Sequence, residues 1–225
     1  MSFDCTTNKY ADLYARWLEN PNKLLKLGGL QVGDRVIDLC GGTGIVAQAA
    51  LDWGASYVVV ADLNPRVRLS DSRLQPIVAR AESIDVAMRF VEYRLYGDSR
   101  TDGFDLDRPF DFVVCRQAIG YVDIQKTASA VANVLRPGGR FVFNTFKRPK
   151  WSWASYAINE RNYFEASGFI GRTVFHIQAS PQVGIDITKF RWHTEDELDA
   201  AFTPLFEIDK TSSKTGLYYV CTRRS

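Results

Sequence analysis

Asp38-Leu-Cys-Gly-Gly-Thr-Gly44 and Asp62 are the residues whose types and spacing best suit ligand chemistry. The first segment continues the apolar run Val36-Ile37 and leads into Ile45-Val-Ala-Gln-Ala-Ala-Leu51. A strand that passes through glycines into a helix lets the backbone approach a ligand closely. The helix start also offers amides that have no intrahelical partner. Asp62 ends the next β-branched run, Tyr57-Val-Val-Val-Ala61. A carboxylate there can accept from both hydroxyls of a ribose, so the two segments point to a nucleotide-like ligand at the carboxyl ends of parallel strands. Gly42-x-Gly44-x-x-Ala47 with Asp62 also fits the dinucleotide fingerprint, which leaves nicotinamide-dependent redox chemistry open on these residues alone.

The acid–base inventory is short. The two histidines are His176, in Thr-Val-Phe-His-Ile, and His193, just before Thr194-Glu-Asp-Glu197. Either can act as a general base if a nucleophile arrives protonated, and either can be structural. Arg116 and Tyr121 follow the apolar run Phe110-Asp-Phe-Val-Val-Cys115. Cys5, Cys40, Cys115 and Cys221 form no C-x-x-C pair, so the spacing offers no zinc ligand set. Cys40, Cys115 and Cys221 sit in or beside apolar runs and read as reduced, mostly buried thiols.

The elements that must position these residues follow from periodicity. Over 9–27, Tyr10, Leu13, Tyr14, Trp17 and Leu18 recur at helical steps; Pro21 restarts the pattern and Gly28-Gly29 stops it. The runs at 35–40, 57–61 and 110–115 lack alternation, as strands covered on both faces do. Ile77, Ala81, Ile84 and Met88 predict a helix over 77–89 that starts at Pro76. The alternation of Val91, Tyr93 and Leu95 predicts a third strand running into Gly97-Asp98. A helix over 124–135, the turn Arg136-Pro-Gly-Gly-Arg140 and a fifth strand from Phe141 complete an α/β order. It predicts a doubly wound, mostly parallel sheet. Beyond it, short apolar runs between 163 and 190 read as an antiparallel ribbon cap inserted after strand five. Thr194 and Glu197 form a capping box for a helix to about Phe202, and 206–209 with 217–222 form a terminal antiparallel strand pair. The expected organisation is one domain over 1–225. It comprises an N-terminal helical cap (1–30), a ligand-binding core (31–150), a lid or ribbon (151–193) and a C-terminal helix and strand pair (194–225).

Five segments, in order, resemble class I S-adenosylmethionine-dependent methyltransferases. Asp38–Gly44 resembles the family's first motif and Asp62 its second. Tyr96-Gly-Asp-Ser99 resembles the turn whose acid meets the adenine amine. Asp111–Tyr121 resembles the fourth-strand motif, and Leu135-Arg-Pro-Gly-Gly-Arg140 the turn before strand five. The resemblance implies S-adenosylmethionine as cofactor and S-adenosylhomocysteine as product. It implies Asp38 near the cofactor ammonium, and Cys40, Gly42 and Gly44 at its amino-acid end and ribose. Asp62 would meet the ribose diol, Leu63 would lie against adenine, and Asp98 and Ser99 would lie at the adenine edge. Cys115 and Arg116 would face the ligand from strand four, and Tyr14 would lie on the closing helix. Tyr121, His176 and His193 are the substrate-side or catalytic candidates. Cys40 stands where the family has its first glycine. The long gap between Asp62 and Asp98 suggests an insertion within 65–90, and a rival alignment places the adenine turn at Ala79-Arg-Ala-Glu82.

Composition narrows the rest. The chain has 225 residues, 46% apolar and 24% charged, which excludes a disordered polymer. A net charge of +2 does not support nucleic acid as an obligate partner. No apolar run approaches the ~20 residues of a membrane helix, and residues 1–10 lack a basic-then-apolar leader, so the cytoplasm is the expected compartment. Lys147-Arg-Pro-Lys-Trp-Ser-Trp153 reads as a substrate lid, with a nucleic-acid stacking patch as its rival. The expected acceptor is a small molecule with an oxygen or nitrogen nucleophile. The alternatives are an RNA or protein methyltransferase, an NAD(P)-dependent oxidoreductase and a non-catalytic cofactor-binding domain.

Overall fold

Strand β1 (Arg35–Leu39) is buried along all five residues, because it has a neighbour on each edge and a helical layer on each face. A computed structural model describes residues 20–67, 70–88, 109–146, 193–212 and 216–225. Within these, β1, β2 (Tyr57–Asp62), β3 (Leu74–Val78), β4 (Phe110–Arg116), β5 (Leu135–Phe146), β6 (Phe206–Ser212) and β7 (Gly216–Arg223) form one sheet in the order β3-β2-β1-β4-β5-β7-β6. The first five are parallel, and β7 runs antiparallel to both β5 and β6. The doubly wound, mostly parallel sheet with a terminal antiparallel pair is therefore as the sequence predicts. The ribbon expected over 163–190, the lid around Trp151–Trp153 and the helix expected over 9–19 lie outside the described residues.

The period of two along each strand divides the core into two layers. Ile37, Leu39, Val113, Phe141 and Phe143 point to one face, covered by α3 (Ile124–Val134) and α4 (Glu195–Phe202). Val36, Val58, Phe112, Val114 and Val142 point to the other, covered by α1 (Pro21–Gly28) and α2 (Ile45–Asp52). Phe143 stacks on Tyr219 with ring centroids 4.8 Å apart and contacts Phe202 at 5.0 Å, which ties β5, β7 and α4 together. The helices start where polar side chains take their first amides: Asn20 for α1, Asp123 for α3, and the predicted Thr194–Glu197 capping box for α4. No helix among the described residues is long and apolar enough to cross a membrane.

One segment corrects the sequence reading. The predicted helix over 77–89 begins as a strand: β3 pairs in parallel with β2, Val60 opposite Pro76 and Asp62 opposite Val78. A helix does follow, described over 84–88, after a 3₁₀ turn at Ala81–Ser83. Pro76 is tolerated because β3 is the edge of the sheet among the described strands, where one row of backbone groups needs no partner strand. Leu74 and Ile77 are buried while Pro76 and Val78 are exposed, so this edge shows no alternation over its five residues. The strand that pairs with β2 is thus Leu74–Val78, and the strand expected over 91–95 lies outside the described residues.

Candidate functional site

The strand order reverses between β1 and β4, opening a crevice at the carboxyl ends of the parallel strands. The glycine turn lines it. After Leu39 the backbone takes left-handed conformations at Cys40 (φ 57°), Gly42 (φ 52°) and Gly44 (φ 79°), and Gly44 caps α2. The amides of Cys40 and Gly41 both donate to the Ala61 carbonyl, at 2.7 and 3.3 Å. Cys40 therefore keeps a glycine-like backbone despite its side chain, at a cost of order 1–2 kcal/mol. Its thiol is hydrogen-bonded with that of Cys115. That bond, and then burial, pushes the Cys40 thiol well above its usual pKa, so Cys40 is a packing thiol rather than a nucleophile. Gly41 is required for another reason: a Cβ there would fall 2.6 Å from the Asp38 carboxyl. At Gly42 a Cβ would meet nothing within 4 Å, so the turn opens onto free space.

Two carboxylates flank this turn in opposite states. Asp38 is 1% exposed. Its Oδ2 accepts from the Ala47 amide of α2 at 3.1 Å, and its Oδ1 is buried without a hydrogen-bond partner. Burial raises its pKa to about 7, and the nearby Asp62 adds to the rise. Arg116 and the Ala47 amide pull it back. Asp62 is half-buried and held by two amides, Gly42 on Oδ2 at 3.0 Å and Asn64 on Oδ1 at 2.8 Å. These bonds fix its orientation and join the first turn to the loop after β2. The Arg66 amide repeats that link by donating to the Gly42 carbonyl at 2.9 Å.

The far wall comes from β4 and β5. Arg116 pairs with Asn144 across the two strands. The next residue, Gln117, is left-handed at φ 56°, and its amide donates to Asn144 Oδ1 at 3.0 Å. Gln117 Oε1 is buried without a partner. The sequence reading missed both Gln117 and Asn144. The available signal was a polar Asn closing the run Phe141-Val-Phe, buried like the phenylalanines before it.

The remaining sequence candidates scatter. Cys115 is fully buried in the sheet layer, and Arg116 is partly buried beside Asp38. Leu63 is 50% exposed next to Asp62, and Tyr121 is exposed on the 3₁₀ turn Ile119–Tyr121. His193 is buried at the start of α4. The turn after the observed β3 is Ala79-Arg-Ala-Glu82, the segment of the rival alignment, and Glu82 Oε1 accepts from the Asp123 amide at 3.1 Å. Tyr14, Asp98, Ser99 and His176 lie outside the described residues.

A family profile described as a methyltransferase domain matches residues 9–198. The chain is 32% identical over 129 residues to a ubiquinone/menaquinone biosynthesis C-methyltransferase of Teredinibacter turnerae, covering 56% of this chain and 48% of that protein. It is 25% identical over 139 residues to a ubiquinone biosynthesis O-methyltransferase of Photorhabdus laumondii, covering 61% and 53%. The chain thus spans about half the length of the curated relatives it matches. Among solved structures, one from Haloferax volcanii, of a methyltransferase in complex with the Trm112 methyltransferase activator, superposes with a TM-score of 0.63 at 16% identity, covering 98% of this chain and 96% of that one. An S-adenosylmethionine-dependent methyltransferase of Mesorhizobium loti superposes with a TM-score of 0.58 at 17% identity, covering 90% and 96%.

Proposed function

The chain belongs to the methyltransferase-domain family, in its class I, S-adenosylmethionine-dependent form, and from that premise we propose that it methylates a small-molecule acceptor at an oxygen or nitrogen nucleophile. The observation that carries this reading is the glycine turn at the β1–β4 crevice, with an under-satisfied carboxylate behind it and an aligned one beside it.

The residues fit the cofactor. Asp38 supplies the buried, under-satisfied carboxyl group that an ammonium would pair with. The open side of Gly42 leaves room for the amino-acid end and ribose. Asp62, already aligned by two amides, keeps lone pairs for a diol. Leu63 offers an apolar surface to a base. When bound, S-adenosylmethionine supplies an electrophilic methyl group on a sulfonium. The chain's own task is to align the acceptor in line with that methyl and to exclude water. Arg116, Gln117 and Tyr121, at or beyond the end of β4, are the acceptor-side candidates, and Asn144 holds the Gln117 backbone in place. His193 is the described candidate for taking a proton from the acceptor, and His176 is the other.

The names of the two curated relatives support a small-molecule acceptor. Those names include both carbon and oxygen acceptors, so the O- or N-nucleophile is the finer part of the proposal. The test is to incubate the protein with S-adenosylmethionine labelled in its methyl group and three acceptor pools: hydroxylated and aminated aromatics, total RNA, and a protein extract. Label in the small-molecule pool on oxygen or nitrogen is expected. Label confined to RNA or protein would overturn the acceptor class, and label on carbon would overturn the nucleophile.

A further inference from the structure

Asp38 is a carboxyl group built to be uncomfortable when ionised. An ionised carboxylate offers about four lone-pair sites. Here one donor meets them, the Ala47 amide at 3.1 Å, and Oδ1 has none. Water cannot make up the difference, because the side chain is 1% exposed and Gly41 lies directly over it. Among the described residues, the charged side chains that face it are Arg116 from β4 and Asp62 from β2, one of each sign, while α2 contributes a backbone amide. Burial outweighs Arg116 and the Ala47 amide, so the carboxylate is only partly compensated.

We infer that Asp38 exchanges a proton for the cofactor's ammonium: the unliganded protein holds Asp38 partly protonated, and cofactor binding releases that proton to solvent. The inference rests on the cofactor reading above. The O–H bond of the carboxyl breaks, the proton goes to water or buffer, and the carboxylate left behind faces the incoming ammonium. No other bond is made or broken. The consequence is a pH-dependent affinity whose origin is one residue. With burial setting its pKa at about 7, cofactor affinity falls as pH drops below neutrality, approaching tenfold per pH unit, and levels off above about pH 8.

Titration calorimetry with S-adenosylhomocysteine, in phosphate, imidazole and Tris buffers at each pH, measures this directly. The dependence of heat on buffer ionisation enthalpy counts the protons exchanged. The expected release is about half a proton at pH 7, rising toward one at pH 6 and vanishing near pH 8.5. Asp38→Asn should bind more weakly and release no proton, and a thermal melt checks that this variant is folded. Should it fail to fold, the wild-type buffer series decides alone. Tight binding with no buffer dependence between pH 6 and 8.5 would overturn the proton exchange and leave the cofactor assignment standing. So would undiminished proton release from a folded Asp38→Asn protein, which would assign the proton to another group. Absence of binding at every pH would instead remove the cofactor reading on which the inference depends.

Discussion

Asp38 and Asp62 are both motif carboxylates, yet their surroundings give them different energies. Asp62 is satisfied by two amides before any ligand arrives, so it is an aligned acceptor. Removing it in Asp62→Ala should weaken S-adenosylhomocysteine binding by about 1.5–3 kcal/mol, the range for hydrogen bonds to a charged group, and leave a cooperative thermal transition. Calorimetric affinity and a melt check both halves of that expectation. Asp38 carries a stability cost instead. Its pKa moves from 3.8 in the unfolded chain to about 7 in the fold, so the folded state binds more protons between those values. The stability tied to this proton is full below pH 3.8 and is lost as pH rises through 7, for a total of about 4 kcal/mol. Asn carries no such charge. The stability of Asp38→Asn relative to wild type should therefore improve from pH 5 to pH 8, by about 2.5 kcal/mol in denaturant melts. A difference that stays flat with pH would show that Asp38 is not held in a raised state. A variant that is more stable and binds more weakly is the expected pattern for a residue kept for function.

At the scale of elements, α1 is fixed against β4 and β5 in the layer it shares with α2. The end of α1 lies directly on the sheet: a Cβ at Gly28 would fall 2.3 Å from Val142 and 2.6 Å from the Phe112 ring. Gly28→Ala should therefore destabilise the fold by about 1–3 kcal/mol through overpacking, although alanine is the better helix former. A denaturant midpoint unchanged from wild type would contradict this placement of α1. The same scale shows where the sequence was readable. The buried strands β1, β2 and β4 announce themselves by apolar runs without polar–apolar alternation, and α4 by its capping box. The edge strand β3 did not, because an edge mixes buried and exposed positions, and its Ile77 lies at helical spacing from Ala81 and Ile84. The expected adenine turn at Asp98 rested on that reading and lies outside the described residues, while Ala79–Glu82 is the turn that follows β3.

For the molecule as a whole, the glycine-turn half of the candidate site was legible as local structure, held within Asp38–Gly44 and at the end of β2. The opposite wall was less so. Gln117 and Asn144 are 27 positions apart and meet only because β4 and β5 pair in parallel. No periodicity in either segment reports that contact. The sheet order places both walls around one crevice, and the central claim is that this crevice binds S-adenosylmethionine rather than a dinucleotide. Thermal melting with saturating S-adenosylhomocysteine or NAD tests it most directly, since a ligand that binds only the folded state stabilises it by about 2.7 kcal/mol at a hundredfold excess over its dissociation constant. The account predicts a rise in melting temperature with S-adenosylhomocysteine and none with NAD. A rise with NAD alone would contradict it.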